Sequence, residues 1–190
     1  MKLEKKNLKL PEGTYEANIS VIDEKDRNLL YKIYSNWLKL SKDLSKFQTR
    51  KLNLPEGLSE SALCLEMGFV KLWENIPKVN SSWDCYDLQK KKRIQVKGCS
   101  INPDATSFGP NSEWDKLYFL DFFRDGNNDG SFDIYLINNN HIKSTIVNIK
   151  KNESFQDQQD QGRRPRFSIF KKIIKPHNIK PIKTAYLKHP

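Results

Sequence analysis

No run of about 18 apolar residues occurs in the 190-residue chain, so no segment is expected to span a bilayer as a helix. The opening MKLEKKNLKLPEG is charged throughout and has no apolar core, so no secretory signal is expected. Cysteine is scarce. Cys64, Cys85 and Cys99 form neither a paired framework nor a CxxC, which leaves reduced thiols in a cytoplasm as the expectation. Three histidines lie scattered without zinc-ligand spacing. Acidic residues are outnumbered, with 23 Asp+Glu against 33 Lys+Arg and a formal net charge of +10. From Gln161 onward there are nine Lys or Arg and no Asp or Glu. Such an excess favours a polyanionic partner, nucleic acid or an anionic membrane surface. Pro176 and Pro181 break the basic end, which shows no clean helical stripe, and this argues against a membrane-lying helix.

What is present reads as helices followed by strands. Residues 1–22 look irregular, punctuated by Pro11 and Gly13. Residues 24–48 read as a helix capped by Asp23, with Leu29, Ile33, Trp37, Leu40, Leu44 and Phe47 on one face and lysines on the solvated other. Pro55-Glu56-Gly57 opens a second helix over about 58–73, with Gly68 as a bend or early end. Residues 83–88 (WDCYDL) and 93–99 (RIQVKGC) read as a β-hairpin. Residues 100–114 read as a loop, and 116–123 and 131–137 as buried strands. A further strand is placed over 141–149 and a polar surface loop over 152–162. Trp37, Trp73, Trp83 and Trp114 are assigned to the core. The pattern predicts an α/β domain with a mixed central sheet flanked by helices.

The chemistry concentrates in residues 83–97. A hairpin brings an Asp on its first strand near Gln95-Val-Lys97 on its second. Alternation puts Gln95 and Lys97 on one face. Phosphodiester hydrolysis needs such a group: oxygen ligands for Mg²⁺ and an ammonium that steadies the attacking hydroxide and the developing charge. Gln95 offers a carbonyl without charge, so further carboxylates are required. Glu60 is a candidate, with helix capping as its alternative role. Glu66 is the fallback, with a solvated helix face as its plainer reading. A turn centred on Lys91 pairs Asp87 with Gln95, whereas a tighter turn at Gln89-Lys90 pairs Asp84 with it.

Asp84…Gln95-Val-Lys97, preceded by the helical Leu58-Ser-Glu60, resembles the PD-(D/E)xK nuclease motif. NLPEGLSE (53–60), SSWDCYD (81–87), TSFGPNSEWDKLYFLDF (106–122) and RRPRFSI (163–169) resemble small type II restriction endonucleases of that superfamily. The resemblance covers roughly residues 50–170. It favours Asp84 over Asp87, because the Trp-Asp context is similar to the superfamily's catalytic Asp. It implies a restriction-endonuclease-like mixed sheet flanked by helices, with Asp84, Gln95 and Glu60 as metal and catalytic residues beside Lys97. It further implies Mg²⁺-dependent cleavage of double-stranded DNA to 5′-phosphate and 3′-hydroxyl ends, a homodimer on a short palindrome, and a cognate DNA methyltransferase. Gln95 departs from the usual acidic residue. On this reading residues 1–190 form one endonuclease domain, with a helical part over 1–50, a catalytic core over 51–150 and a basic DNA-contacting segment over 151–190. The alternatives are a repair or recombination endonuclease of the same superfamily, or a non-catalytic DNA-binding module with a degenerate site.

DNA contacts are expected from Arg163, Arg164 and Arg166, with Gln159, Gln161 and Ser168 beside them. Arg can read guanine and Gln can read adenine, and phosphate contact is the less specific role. Lys171, Lys172, Lys175, Lys180, Lys183 and Lys188 suit phosphate neutralisation. In the loop after Lys97, Ser100, Thr106 and Ser107 are possible donors. Asp125–Asp133 resembles the start of an EF-hand loop, but Leu136 stands where the bidentate Glu belongs, and a Gly/Asn/Asp-rich turn explains it.

Overall fold

The computed structural model describes residues 1–47, 52–77, 79, 82–102 and 104–188. In chain order the elements are β1 (Lys2–Leu10), β2 (Gly13–Val21), α1 (Arg27–Leu44), α2 (Glu56–Met67), β3 (Val70–Leu72), β4 (Cys85–Asp87), β5 (Lys92–Cys99), β6 (Thr106–Ser107), β7 (Lys116–Asp121), β8 (Ser131–Ile137), α3 (Asn139–Ser144), β9 (Ile146–Asn148), β10 (Glu153–Ser154), α4 (Phe155–Asp160), β11 (Arg166–Phe167) and β12 (Lys183–Tyr186). Eight strands form one sheet in the order β1-β2-β3-β4-β5-β7-β8-β12. All neighbours are antiparallel except β5 and β7, which run parallel, so the sheet is mixed.

Alternation along the central strands builds two cores. Ile94 and Val96 of β5 with Tyr118 and Leu120 of β7 pack under α1 and α2. Leu117 and Phe119 of β7 face the other way, onto Phe155 of α4, Ile142 of α3 and Ile173 and Ile174 of a π-helical segment at Phe170–Ile174. This helix-flanked mixed sheet is the architecture the sequence predicts. Among the described residues no helix is long and apolar enough to cross a membrane. All three cysteines are free and buried.

Several expectations need correction. Residues 1–22 are not irregular but a hairpin of two nine-residue strands, with Leu10 opposite Gly13 across a two-residue turn. Leu8, Leu10, Ala17 and Ile19 bury against β3 and β4, and Tyr86 Oη donates to the Lys9 carbonyl at 2.6 Å. The many lysines of β1 mask the alternation. The N-terminal part is therefore a β-hairpin before a helix. In α1 the buried face holds Leu30 and Tyr34, while Leu29, Ile33 and Leu40 are exposed, as is Phe47 beyond its end. The apolar arc is wider than one stripe, and Tyr34 stacking on Phe122 at 6.0 Å settles the rotation. Asp23 caps a 3-10 turn ahead of α1 rather than α1 itself. The second helix stops at Met67, where Gly68 takes the left-handed conformation at φ 70°, and the chain turns into β3. Of the strand expected over 141–149 only β9 forms, residues 139–144 being helical; residues 155–160 are a helix where a loop was expected, and Trp73 is exposed.

Candidate active site

The cluster sits on β4 and β5. Asp87 closes their turn: its Oδ1 accepts from the N–H groups of Gln89 at 3.0 Å and Lys90 at 2.9 Å. Asp87 then faces Lys92, Tyr86 faces Arg93 and Cys85 faces Ile94. The same register carries Asp84 opposite Gln95. The tighter of the two turns is the one present, and it leaves Asp87 occupied away from Gln95.

Asp84 is stitched to the middle of β5. Its N–H donates to the Ile94 carbonyl at 2.9 Å, and its Oδ2 accepts from the Val96 N–H at 2.6 Å and from Gln95 Nε2. Gln95 is buried and Lys97 half-buried, on the face opposite Ile94 and Val96. The Lys97 ammonium lies 5.2 Å from the centroid of the Phe108 ring.

Glu60 comes from α2, which lies close against β5. A Cβ added at Gly98 would sit 2.9 Å from Ser59 Cβ and 3.5 Å from Leu54 Cδ2, so only glycine permits this approach. Glu60 Oε2 pairs with Lys71 Nζ of β3 at 2.6 Å. Burial pushes the Asp84 carboxyl up to about 7, and the neighbouring Glu60 carboxylate adds to the rise. The Val96 N–H and Lys97 pull the other way without cancelling it. Glu66, the fallback, is a structural ion-pair centre, held by Arg27 at 2.8 Å and Lys183 at 2.7 Å.

The basic segment folds back beside this cluster. β11 pairs antiparallel with β6, setting Arg166 opposite Ser107 and Phe167 opposite Thr106. Arg164, Arg166, Ser107, Gln161 and Lys171 are exposed. Others are engaged within the protein. Arg163 pairs with Glu153 at 2.6 Å and donates to Gln161 Oε1 at 2.5 Å. Lys172 Nζ donates to the Ile146 carbonyl at 2.7 Å, and Gln159 Nε2 to that of Gly109 at 2.9 Å. Ser168 Oγ donates to Asp104 and caps the Lys171 N–H at 3.0 Å. Lys183, read as part of a phosphate-neutralising tail, lies in edge strand β12.

Sequence reasoning missed Asp104. Its buried carboxylate also accepts from the Ile169 N–H at 2.9 Å and Thr106 Oγ1 at 3.3 Å, tying the loop after β5 to the basic segment. It also missed Lys71 as partner of Glu60 and Phe108 as neighbour of Lys97. No strand or helix period signals these, since each depends on how one element folds back on another. The Asp125–Asp133 stretch is a turn in which Asp129 caps Ser131 and Arg124 pairs with Asp133 at 3.3 Å.

Residues 22–176 match the Bsp6I restriction endonuclease family. The chain belongs to that family. It is 36% identical over 162 residues to the type II restriction enzyme Bsp6I of Bacillus sp. (strain RFL6), which covers 83% of this chain and 86% of that one. No solved structure matches. The restriction-endonuclease resemblance seen in the sequence thus holds at the level of family and enzyme class. The span matched to the Bsp6I family includes Glu60, Asp84, Gln95, Lys97 and the whole of β6 and β11, and it begins just beyond the β1–β2 hairpin.

Proposed function

We propose that this member of the Bsp6I family is a type II restriction endonuclease that hydrolyses double-stranded DNA at the Asp84–Gln95–Lys97 cluster with Mg²⁺ as cofactor. The observation that carries the assignment is Asp84: a half-buried side chain whose carboxyl is raised to about 7, with the Glu60 carboxylate beside it and no salt bridge to a cation among the described residues. A folded protein retains such a group at a cost to stability, which is the mark of a site awaiting a positive ligand.

The donor set suits Mg²⁺. Among the described residues no three His, Cys, Asp or Glu converge, so Asp84, Glu60 and the Gln95 amide would hold the ion, directly or through water. Mg²⁺ needs only one or two carboxylates and keeps several waters. When bound it supplies polarisation of the scissile phosphate and a more acidic water. Gln95 has its Nε2 turned to Asp84, so its Oε1 would be the atom offered to a cation. Lys97, on the same face, offers its ammonium to a phosphate oxygen and to the attacking water. Arg164, Arg166 and Ser107 present donors to the duplex from the β6–β11 ribbon.

Two copies on a short palindrome would cut one strand each, leaving 5′-phosphate and 3′-hydroxyl ends, because two-fold protein symmetry matches two-fold DNA symmetry. A methyltransferase of the same specificity would protect the DNA of the cell in whose cytoplasm the enzyme works. The test is incubation with plasmid DNA of known sequence in Mg²⁺ and in EDTA, beside Lys97→Ala. Discrete fragments in Mg²⁺ alone, lost in the variant, are expected. Fragments from Lys97→Ala would overturn the role of the lysine, and fragments in EDTA would overturn the metal.

A further inference from the structure

We propose that Phe108 is a positioning residue that couples the β6–β11 ribbon to Lys97, so that docking of the ribbon on DNA governs where the ammonium stands. The proposal rests on the reading of Lys97 as the catalytic lysine. Three observations meet at Phe108. Its ring is buried and lies under the Lys97 ammonium at 5.2 Å. It stacks on Phe167 of β11 at 5.9 Å and 18°, and meets Phe155 edge-on at 5.1 Å. Its backbone N–H donates to the Pro165 carbonyl at 3.0 Å, between Arg164 and Arg166.

The neighbours on either side complete the coupling. Ser107, just before Phe108, and Arg166, just before Phe167, form an exposed cross-strand pair. One residue on each strand thus faces outward while the next builds the aromatic stack under Lys97. Asp104 fixes the far end through Ser168, Ile169 and Thr106. A shift of this ribbon on docking therefore moves the ring that seats the ammonium. Among the described residues Lys97 forms no salt bridge, its charge reaching Asp84 only at longer range, and the Phe108 π-face is its close contact. A long flexible ammonium placed by a ring, rather than by a carboxylate, can be released to a phosphate oxygen at little electrostatic cost.

The test compares Phe108→Leu with Phe155→Leu, which truncates the same aromatic cluster without touching Lys97, and with Lys97→Ala. The substrates are a duplex carrying the site that the wild-type protein cuts in plasmid DNA and duplexes with one base pair of that site changed. Single-turnover cleavage is followed in Mg²⁺, and binding is measured in EDTA. For Phe108→Leu the expected result is about a tenfold slower cleavage step at the proper site. Its binding should stay within about twofold, and its preference for the proper site in the cleavage step should shrink. Phe155→Leu should lower the melting temperature comparably yet keep rate and preference. Wild-type rate and preference in Phe108→Leu, with Lys97→Ala inactive, would overturn the coupling alone, as would equal loss in both phenylalanine variants. Cleavage by Lys97→Ala would overturn the reading beneath it.

Discussion

Two aspartates, Asp121 buried and Asp84 half-buried, stand at strand ends of the same sheet, and they are equipped differently. Asp121, closing β7, accepts from the Phe123 N–H at 2.8 Å, the Arg124 N–H at 3.2 Å and the Cys99 thiol at 3.3 Å. Asp84, entering β4, accepts from one backbone N–H and one side-chain amide and has Glu60 for a neighbour. Burial raises both carboxyls above the ordinary range. At Asp121 three donors work against that rise and outweigh the smaller push from Asp133, and two of them hold the turn into Arg124. At Asp84 the nearest acidic group adds to it. Burial alone does not separate a structural carboxylate from one kept for chemistry; what the surrounding groups leave unmatched does.

The largest expected effect tests that division directly. Asp84→Asn keeps the shape of the side chain and removes the charge available to a cation, so cleavage in Mg²⁺ should fall about a thousandfold or more. Asp121→Asn should keep its cleavage rate within a few-fold when folded. It should instead lose about 1–3 kcal/mol of stability, because a neutral amide oxygen accepts the three bonds more weakly than a carboxylate does. Single-turnover rates and denaturant midpoints of the two variants measure both. Equal loss of cleavage would break the comparison.

The pH dependence of stability sharpens it further. With its carboxyl raised to about 7, folded Asp84 keeps its proton between about pH 4 and 7 while the unfolded chain releases it. In EDTA its contribution to stability is therefore greatest at low pH and is lost as pH rises through 7. Asp84→Asn removes this dependence, so it should be more stable than wild type at pH 8 by about 2–4 kcal/mol and gain little at pH 4. Melting temperatures of both proteins across that range give the difference. A gap that does not widen with pH would show Asp84 to be no more frustrated than Asp121. Mg²⁺ should raise the wild-type melting temperature most above pH 7, where the carboxylate is ionised.

How much of this was legible in the sequence follows the range of the contacts. The β4–β5 hairpin, the strand alternation of Gln95 and Lys97, and the helix carrying Glu60 are local patterns, and they were readable. The β1–β2 hairpin was not, because only Leu8 and Leu10 bury within a lysine-rich strand. The face of α1 was not, because Tyr34 packs on Phe122, 88 residues further along, and no helical period encodes that choice. Asp84 and Asp87 could not be told apart by spacing, since two residues of the turn decide the register. Asp87 capping Gln89 and Lys90 is the physical reason for the tighter turn. Asp104 and Phe108 became visible only once β6 and β11 were side by side.

The distinction between occupied and unmatched groups extends, with smaller effects, to the arginines of the basic segment. Arg163 is held by Glu153 and Gln161, whereas Arg164 and Arg166 are exposed, Arg166 on the β11 side of the ribbon opposite Ser107. A guanidinium already paired must break that contact to meet a phosphate or a base, so it contributes less to binding than a free one. Arg166→Ala and Arg164→Ala should each weaken DNA binding by about tenfold at low salt and reduce the slope of log affinity against log salt by about 1. Arg163→Ala should leave that slope nearly unchanged and lower the melting temperature slightly. Affinities titrated across a salt series, on the cleaved sequence and on an unrelated one, also separate the two roles left to Arg166. Equal loss on both duplexes means phosphate contact; greater loss on the cleaved sequence means base reading. A change in slope for Arg163→Ala as large as that for Arg166→Ala would mean that the Glu153 pair yields to DNA, and that occupancy in the free protein does not decide which groups serve the duplex.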